Sequence, residues 1–185
     1  MAFDVNAFRT NLQQDGARPN LFEVQLQFPT WVSLGGQAGP KATFMCKASQ
    51  LPGSTVGIAP LFYFGREVKL AGNRTYQDWT IQVINDEDFI IRNTMEQWFN
   101  GLNDPAGNIR NPNALIIDGG YGVDAVVIQY GKAGDVIKTY DFIGIWPMDL
   151  APIDLDWGLN DSIEEYTISF AVQYYGDANL SNLTA

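Results

Sequence analysis

Within Leu21 to Phe28, apolar and polar residues alternate without a fault from Phe22 onward, Phe22, Val24, Leu26 and Phe28 against Glu23, Gln25 and Gln27. A strand, whose successive side chains point to opposite faces, sorts such a sequence completely. The same period of two returns twice at greater length. In the stretch Thr75 to Ile84, Trp79, Ile81 and Val83 take one face while Asp78, Thr80 and Gln82 take the other. In the stretch Ile163 to Tyr175, the residues Tyr166, Ile168, Phe170, Val172 and Tyr174 oppose Glu165, Thr167, Ser169, Ala171 and Gln173. Each of these strands has one face for a core and one for water or a neighbour, which points to a fold of half-buried strands.

The remaining elements fit around them. Ala42 to Ser49 reads as the second strand. Tyr63 to Leu70 precedes Thr75 to Ile84 through Ala71-Gly72-Asn73-Arg74, a link short enough for a hairpin. Val123 to Tyr130 and Val136 to Ile143 flank a five-residue hairpin loop, Gly131 to Asp135. Leu115 to Ile117 reads as a brief further pairing. Gly35 to Pro40 and Asn103 to Asn113 read as loops because Gly and Pro recur in them. Leu51-Pro52-Gly53-Ser54-Thr55-Val56-Gly57 cannot continue a helix or a central strand, so it reads as an ordered loop or an arm.

One convincing helix covers about residues 86–102, with an apolar stripe of Phe89, Ile90, Met95, Trp98, Phe99 and Leu102. Asn85 or Asp86 would cap it, three acids sit at its positive end, and Gly101 with Asp104-Pro105 marks its stop. Trp98 and Phe99 read as the plug that seats it. The first twenty residues hold at most a short helical turn, and the tail from Gly176 reads as a loose polar end. The expected architecture is mainly β, a β-sandwich or β-barrel with one flanking α-helix, in a single domain spanning 1–185. A chain of this length buries about 70% of its unfolded surface and needs no staple.

Function classes fall away by composition. With no His and one Cys among 185 residues, an internal disulfide and the usual zinc, haem, Ser-His and Cys-His chemistries are excluded. Cys46 reads as a small buried hydrophobe. Asp154-Leu155-Asp156 has the look of a metal-binding DxD but lacks any nucleotide-binding context, and neighbouring Glu164 and Glu165 point to opposite strand faces. No cofactor and no catalysis are expected. No apolar run is long enough to span a membrane, and the first residues lack the layout of a secretory signal, so a cytosolic protein without a membrane anchor is expected. Charge is uneven. Residues 1–92 hold 8 acids and 8 bases, and residues 93–185 hold 13 acids and 3 bases, which puts the whole net charge of −10 in the second half. Such a surface does not attract nucleic acid, whose binding rests on Lys and Arg.

Four segments together resemble the tail tube protein family of contractile-tailed bacteriophages: Gly16 to Val24, Leu51 to Ser54, Phe64 to Gly72, and Trp79 to Phe89. The likeness runs in order along most of the chain and is densest from Arg18 to Asn103. It implies a β-barrel or β-sandwich whose copies form hexameric rings, stacked into a hollow tube inside a contractile sheath. The lumen would conduct DNA during ejection and hold the tape-measure protein before it. Sheath protein, tape-measure protein, baseplate hub and tail terminator are the implied partners. The implied location is the virion tail, assembled in the bacterial host cytoplasm.

On that resemblance, Leu51, Pro52, Gly53, Val56 and Ile58 become a candidate inter-subunit arm, since their apolar side chains want a burial that one copy does not offer. Asp78, Thr80, Gln82, Thr167, Ser169 and Gln173 become a candidate lumen or interface face, and an acidic lumen would let DNA slide. Arg66, Lys69 and Arg74 become candidates for inter-subunit salt bridges. Two other readings stand beside this one: the tube of a phage-derived bacteriocin or related contractile injection system, and a glycan-binding β-sandwich module. A histidine-free hydrolase using paired Asp has no paired geometry to support it.

Overall fold

The computed structural model describes residues 4–12, 16–110 and 120–177. The expected pairing at Leu115 to Ile117 and most of the tail lie outside them. The chain runs α1 (Val5–Asn11), β1 (Phe22–Leu26), α2 (Gly35–Met45), β2 (Cys46–Ser49), β3 (Ser54–Tyr63), β4 (Arg66–Tyr76), β5 (Trp79–Ile84), α3 (Ile90–Leu102), β6 (Val123–Tyr130), β7 (Val136–Leu150), β8 (Glu165–Ala171) and β9 (Tyr174–Asp177). Strands dominate, as the alternation requires, and the main sheet has the order β1-β6-β7-β8-β5-β2 with antiparallel neighbours. Its two ends, β1 and β2, come into contact, so the sheet curls into a barrel-like sandwich.

β7 holds this curl together. Its first half pairs with β6 on one side and β9 on the other, while its second half pairs with β8. The strand changes partners at Gly144, whose φ of +63° is open to glycine and strained for other residues. The expected single strand from Ile163 to Tyr175 is therefore two. β8 ends at Ala171, Val172 and Gln173 cross over, and β9 joins the first half of β7.

The alternating apolar residues meet inside. Trp79 stacks on Phe142 at 4.8 Å and on Phe170 at 5.3 Å, and its Nε1 donates to Ser49 Oγ at 3.0 Å. Trp98 of α3 is fully buried against Phe28 and Phe170 and donates to the carbonyl of Tyr121 at 3.0 Å. Trp98 is thus the plug of α3, with Ile91, Thr94 and Met95 buried beside it, while Phe99 is only half-buried.

Two further helices revise the expectation of one. α1 takes up the short turn expected near the N-terminus, capped by Asp4, whose Oδ1 accepts from the Asn6 amide at 2.9 Å. α2 occupies what reads as a loop from Gly35 to Pro40 and takes Ala42 to Met45 from the expected second strand. Its Gly and Ala residues serve close approach. Ala38 and Ala42 are buried, and a Cβ on Gly39 would stand 3.3 Å from the Leu26 carbonyl, so only small residues let α2 lie against β1. Packing overrides the helix-breaking propensities of Gly and Pro here.

α3 starts later than expected. Phe89 precedes it with φ +52°, and neither Asn85 nor Asp86 caps it. Asn85 is tied instead to the residue just ahead of β8, its backbone and side chain both donating to Glu164 at 2.8 and 2.7 Å. Asp86 and Asp88 hold the turn before the helix, accepting from the Glu87 and Ile90 amides, and both bind Lys41 of α2.

Candidate interaction surfaces

β3 and β4 leave the barrel altogether. They pair only with each other, antiparallel from Ser54↔Tyr76 to Tyr63↔Arg66, with a bulge opposite Gly57. The expected connection Ala71 to Arg74 lies inside β4. The turn is instead Phe64-Gly65, with φ +46° and +79°, the pair of positive φ angles that suits the twist of a two-residue hairpin. The alternation of Thr75 onward thus belongs partly to β4 and partly to β5. The ten residues of β3 give the hairpin a reach of roughly 33 Å.

Both faces of the hairpin are apolar and both are exposed. Ala59, Leu61, Tyr63, Val68 and Leu70 lie on one side, and Ile58, Pro60, Phe62 and Ala71 on the other. Phe62 is 72% exposed and Phe64, at the tip, 92%. A free two-stranded hairpin is at best marginally stable in water, and its unpaired edges invite further pairing.

The candidate arm divides on this geometry. Val56 and Ile58 are exposed on β3, whereas Leu51, Pro52 and Gly53 form its base. Gly53 is fastened to Gln77 by two hydrogen bonds, of 3.1 and 3.2 Å, and Leu51 borders a cleft of about 250 Å³ with Phe22, Val127 and Tyr140. From Ser54 onward the segment that reads as a loop is thus a strand, and it turns back into β4. Arg66, Lys69 and Arg74 all lie on β4. Arg74 donates to Ser54 Oγ at 2.9 Å and sits 4.9 Å over the Tyr76 ring, while among the described residues Arg66 and Lys69 have no ion pair.

The second surface is the polar face of the sheet. Thr80 faces Ser169 and Gln82 faces Thr167 across β5 and β8, with the two hydroxyls 3.3 Å apart. Glu165 binds Lys47 at 2.6 Å and accepts from Gln82 Nε2 at 2.9 Å. Asp149 extends the Ser169 row on β7, and Asp78 is exposed just ahead of β5. Four of the six face residues are thereby brought together. Gln173 is not, since it lies exposed where the chain leaves β8.

Both surfaces fall within residues 17–177, which match the phage tail tube protein family along their whole extent. The chain belongs to that family. Tail tube protein gp19 of Enterobacteria phage T4 is 33% identical over 166 residues, covering 87% of this chain and 91% of that protein. The tail tube protein of Serratia phage KSP90 is 27% identical over 168 residues, covering 88% and 90%. Among solved structures, a chain of the anti-feeding prophage cap aligns with TM-score 0.63 at 14% identity, over 90% of this chain and 93% of that one. A chain of the sheath–tube complex of the extracellular contractile injection system PVC aligns with TM-score 0.58 at 11% identity, over 95% and 98%. These two structures share the fold.

In this family member the exposed apolar residues that alternation alone does not single out are Leu61, Phe62, Tyr63, Phe64, Val68 and Leu70. A signal for them was present. Ile58 to Phe64 is an unbroken apolar run between Gly57 and Gly65, the pattern of a strand covered on both faces. No helix of the described residues is long and apolar enough to cross a membrane.

Proposed function

We propose that this tail tube family member is a non-catalytic structural subunit, one domain over its length, whose copies form hexameric rings stacked into the tube of a contractile phage tail. The hairpin carries this reading. Eight of its large apolar side chains are exposed, from Val56 to Leu70, and among the described residues no other element covers them. Burying a large apolar side chain contributes about 1.5–3 kcal/mol, so a copy-to-copy contact along the hairpin offsets a substantial association cost. Val56 and Ile58, with the base at Leu51, Pro52 and Gly53, form the arm of this contact, and Arg66, Lys69 and Arg74 supply its inter-subunit ion pairs.

The polar face supports the lumen. Thr80, Gln82, Thr167 and Ser169 offer hydroxyls and amides, and the charges among them, Asp78, Asp149 and Glu165 against Lys47, leave an acid excess. A lumen of that character repels phosphates, so DNA passes without binding during ejection. Sheath, tape-measure protein, baseplate hub and terminator complete the tail, built in the host cytoplasm and carried on the virion. The fold shared with contractile injection systems supports a second reading, the tube of such a machine.

The test is negative-stain electron microscopy of the full chain across concentration and salt, beside the variant Leu61→Asp/Val68→Asp. Rings or hollow tubes from the natural chain and none from the variant are expected. Equal assembly by both would remove the hairpin from the interface, and a natural chain that stays monomeric with sheath and baseplate proteins added would end the tube reading.

A further inference from the structure

A projecting arm needs a seat, and the connection between β7 and β8 has the complementary character. Residues 151–164 hold no strand or helix, yet Leu155 is 81% exposed, Trp157 is fully exposed, and Leu159 and Ile163 stand out beside them. They border a cleft of about 560 Å³, a volume suited to an aromatic side chain with its neighbours. The segment carries Asp154, Asp156, Asp161 and Glu164 and no base, a net charge of −4. The hairpin, residues 54–76, carries Arg66, Lys69 and Arg74 against Glu67, a net charge of +2.

These charges are spare as well as opposite. Glu164 is engaged by Asn85 and Asp156 by its own turn, but among the described residues Asp154 and Asp161 have no ion pair or hydrogen-bonded partner, and Arg66 and Lys69 have no ion pair. Two exposed apolar surfaces of opposite sign on different parts of one chain make a heterologous contact, which propagates from copy to copy instead of closing a dimer.

Resting on the tube reading, we infer that the hairpin of one copy seats its Phe64 tip in the 151–164 cleft of the next copy, with Arg66 and Lys69 facing Asp154 and Asp161. Trp157 and Leu155 close over the tip from the receiving side. The apolar contact supplies the affinity and the charges fix which copy surface is accepted.

Photo-crosslinking tests the seat directly. The full chain with p-benzoylphenylalanine in place of Phe64 is prepared in light and heavy isotopic forms, mixed, assembled and irradiated. Light-to-heavy crosslinks within residues 151–164 are expected; crosslinks to any other segment, or only within one chain, would overturn the inference. Charge exchange provides the second arm. Arg66→Glu/Lys69→Glu and Asp154→Lys/Asp161→Lys should each lower sedimentable assembly by about tenfold or more, and their combination should restore most of it. A combined variant with native circular dichroism that stays unassembled would sink the pairing. The two readings fail differently. Tubes whose crosslinks lie elsewhere end the seat alone, whereas a natural chain that assembles under no condition ends both.

Discussion

Replacing Gly101 by Ala should destabilise this protein although it lies in a helix, where Ala is intrinsically favoured. A Cβ built on Gly101 falls 2.0 Å from Cζ3 and 2.1 Å from Cη2 of Trp31. Ordinary carbon contacts begin near ~3.5 Å, so the indole must retreat by roughly 1.5 Å. That movement breaks the bond from Trp31 Nε1 to the Gly120 carbonyl, 3.3 Å long. Overpacking costs about 1–3 kcal/mol and the lost hydrogen bond about 0.5–1.5, against about 1 kcal/mol gained in helix propensity. The net is a loss of roughly 0.5–3.5 kcal/mol, or about 1–14 °C in Tm for a chain of this size. Gly36 of α2 is the control, because nothing lies within 4 Å of its Cβ position. Gly36→Ala should instead stabilise by about 0.4–1 kcal/mol. Urea and thermal unfolding of the dilute, unassembled chain, followed by circular dichroism, measure both. In a Trp31→Ala background Gly101→Ala should turn stabilising. If Gly101→Ala matched or exceeded the natural chain in stability, or stayed destabilising without Trp31, the reasoning would fail.

Trp79→Ala removes the ring stacked between Phe142 and Phe170 and should cost about 3–5 kcal/mol in urea unfolding; a loss below about 1 kcal/mol would place Trp79 outside the core. Lys41 donates to Asp86 and Asp88 and holds both carboxyls below their ordinary value of 3.8, while the same bonds, Asp86 first, raise Lys41 above 10.5. The carboxylates' contribution is present above 3.8 and fades as pH falls through their lowered values; that of Lys41 is present below 10.5 and fades as pH rises through its raised one. Lys41→Met should move both Asp titrations up toward 3.8 in carboxyl NMR, and unmoved titrations would disprove the contact. Burial pushes the Cys46 thiol up to about 12, so iodoacetamide at neutral pH should label it far more slowly in the folded chain than in urea. Equal rates would count against that burial.

What could be read beforehand depended on which surface each residue answers to. β5 and β8 were legible because Trp79, Ile81, Tyr166 and Phe170 answer to the chain's own core while Thr80, Gln82, Thr167 and Ser169 do not, and their register brings the polar four together. α2 was hidden because Gly35, Gly39 and Pro40 spell a loop by propensity, and the reason for the small residues, the nearness of β1, appears only in three dimensions. The hairpin was misdrawn for a different reason. Alternation disappears when both faces are apolar, and Phe64 is not a residue that announces a turn, so the sequence shows its break at Ala71-Gly72-Asn73-Arg74, where the strand bulges but continues. Charge sums place the acid excess in the second half, yet only the fold separates Glu165, bound by Lys47 on the sheet, from Asp154 on the loop, which has no ion pair among the described residues.

β7 has a consequence for cooperativity. Because the first half of its 15 residues pairs with β6 and β9 and the second half with β8, neither half of the main sheet can open without stripping hydrogen bonds from a strand the other half also uses. Phe142 and Ile145, both fully buried, sit on the two sides of the bend at Gly144, so a local opening at either end reaches the common core at once. Amide exchange along β7 should therefore proceed through global unfolding, with the two halves of the main sheet behaving as one unit, whereas the hairpin amides, outside that unit, exchange early.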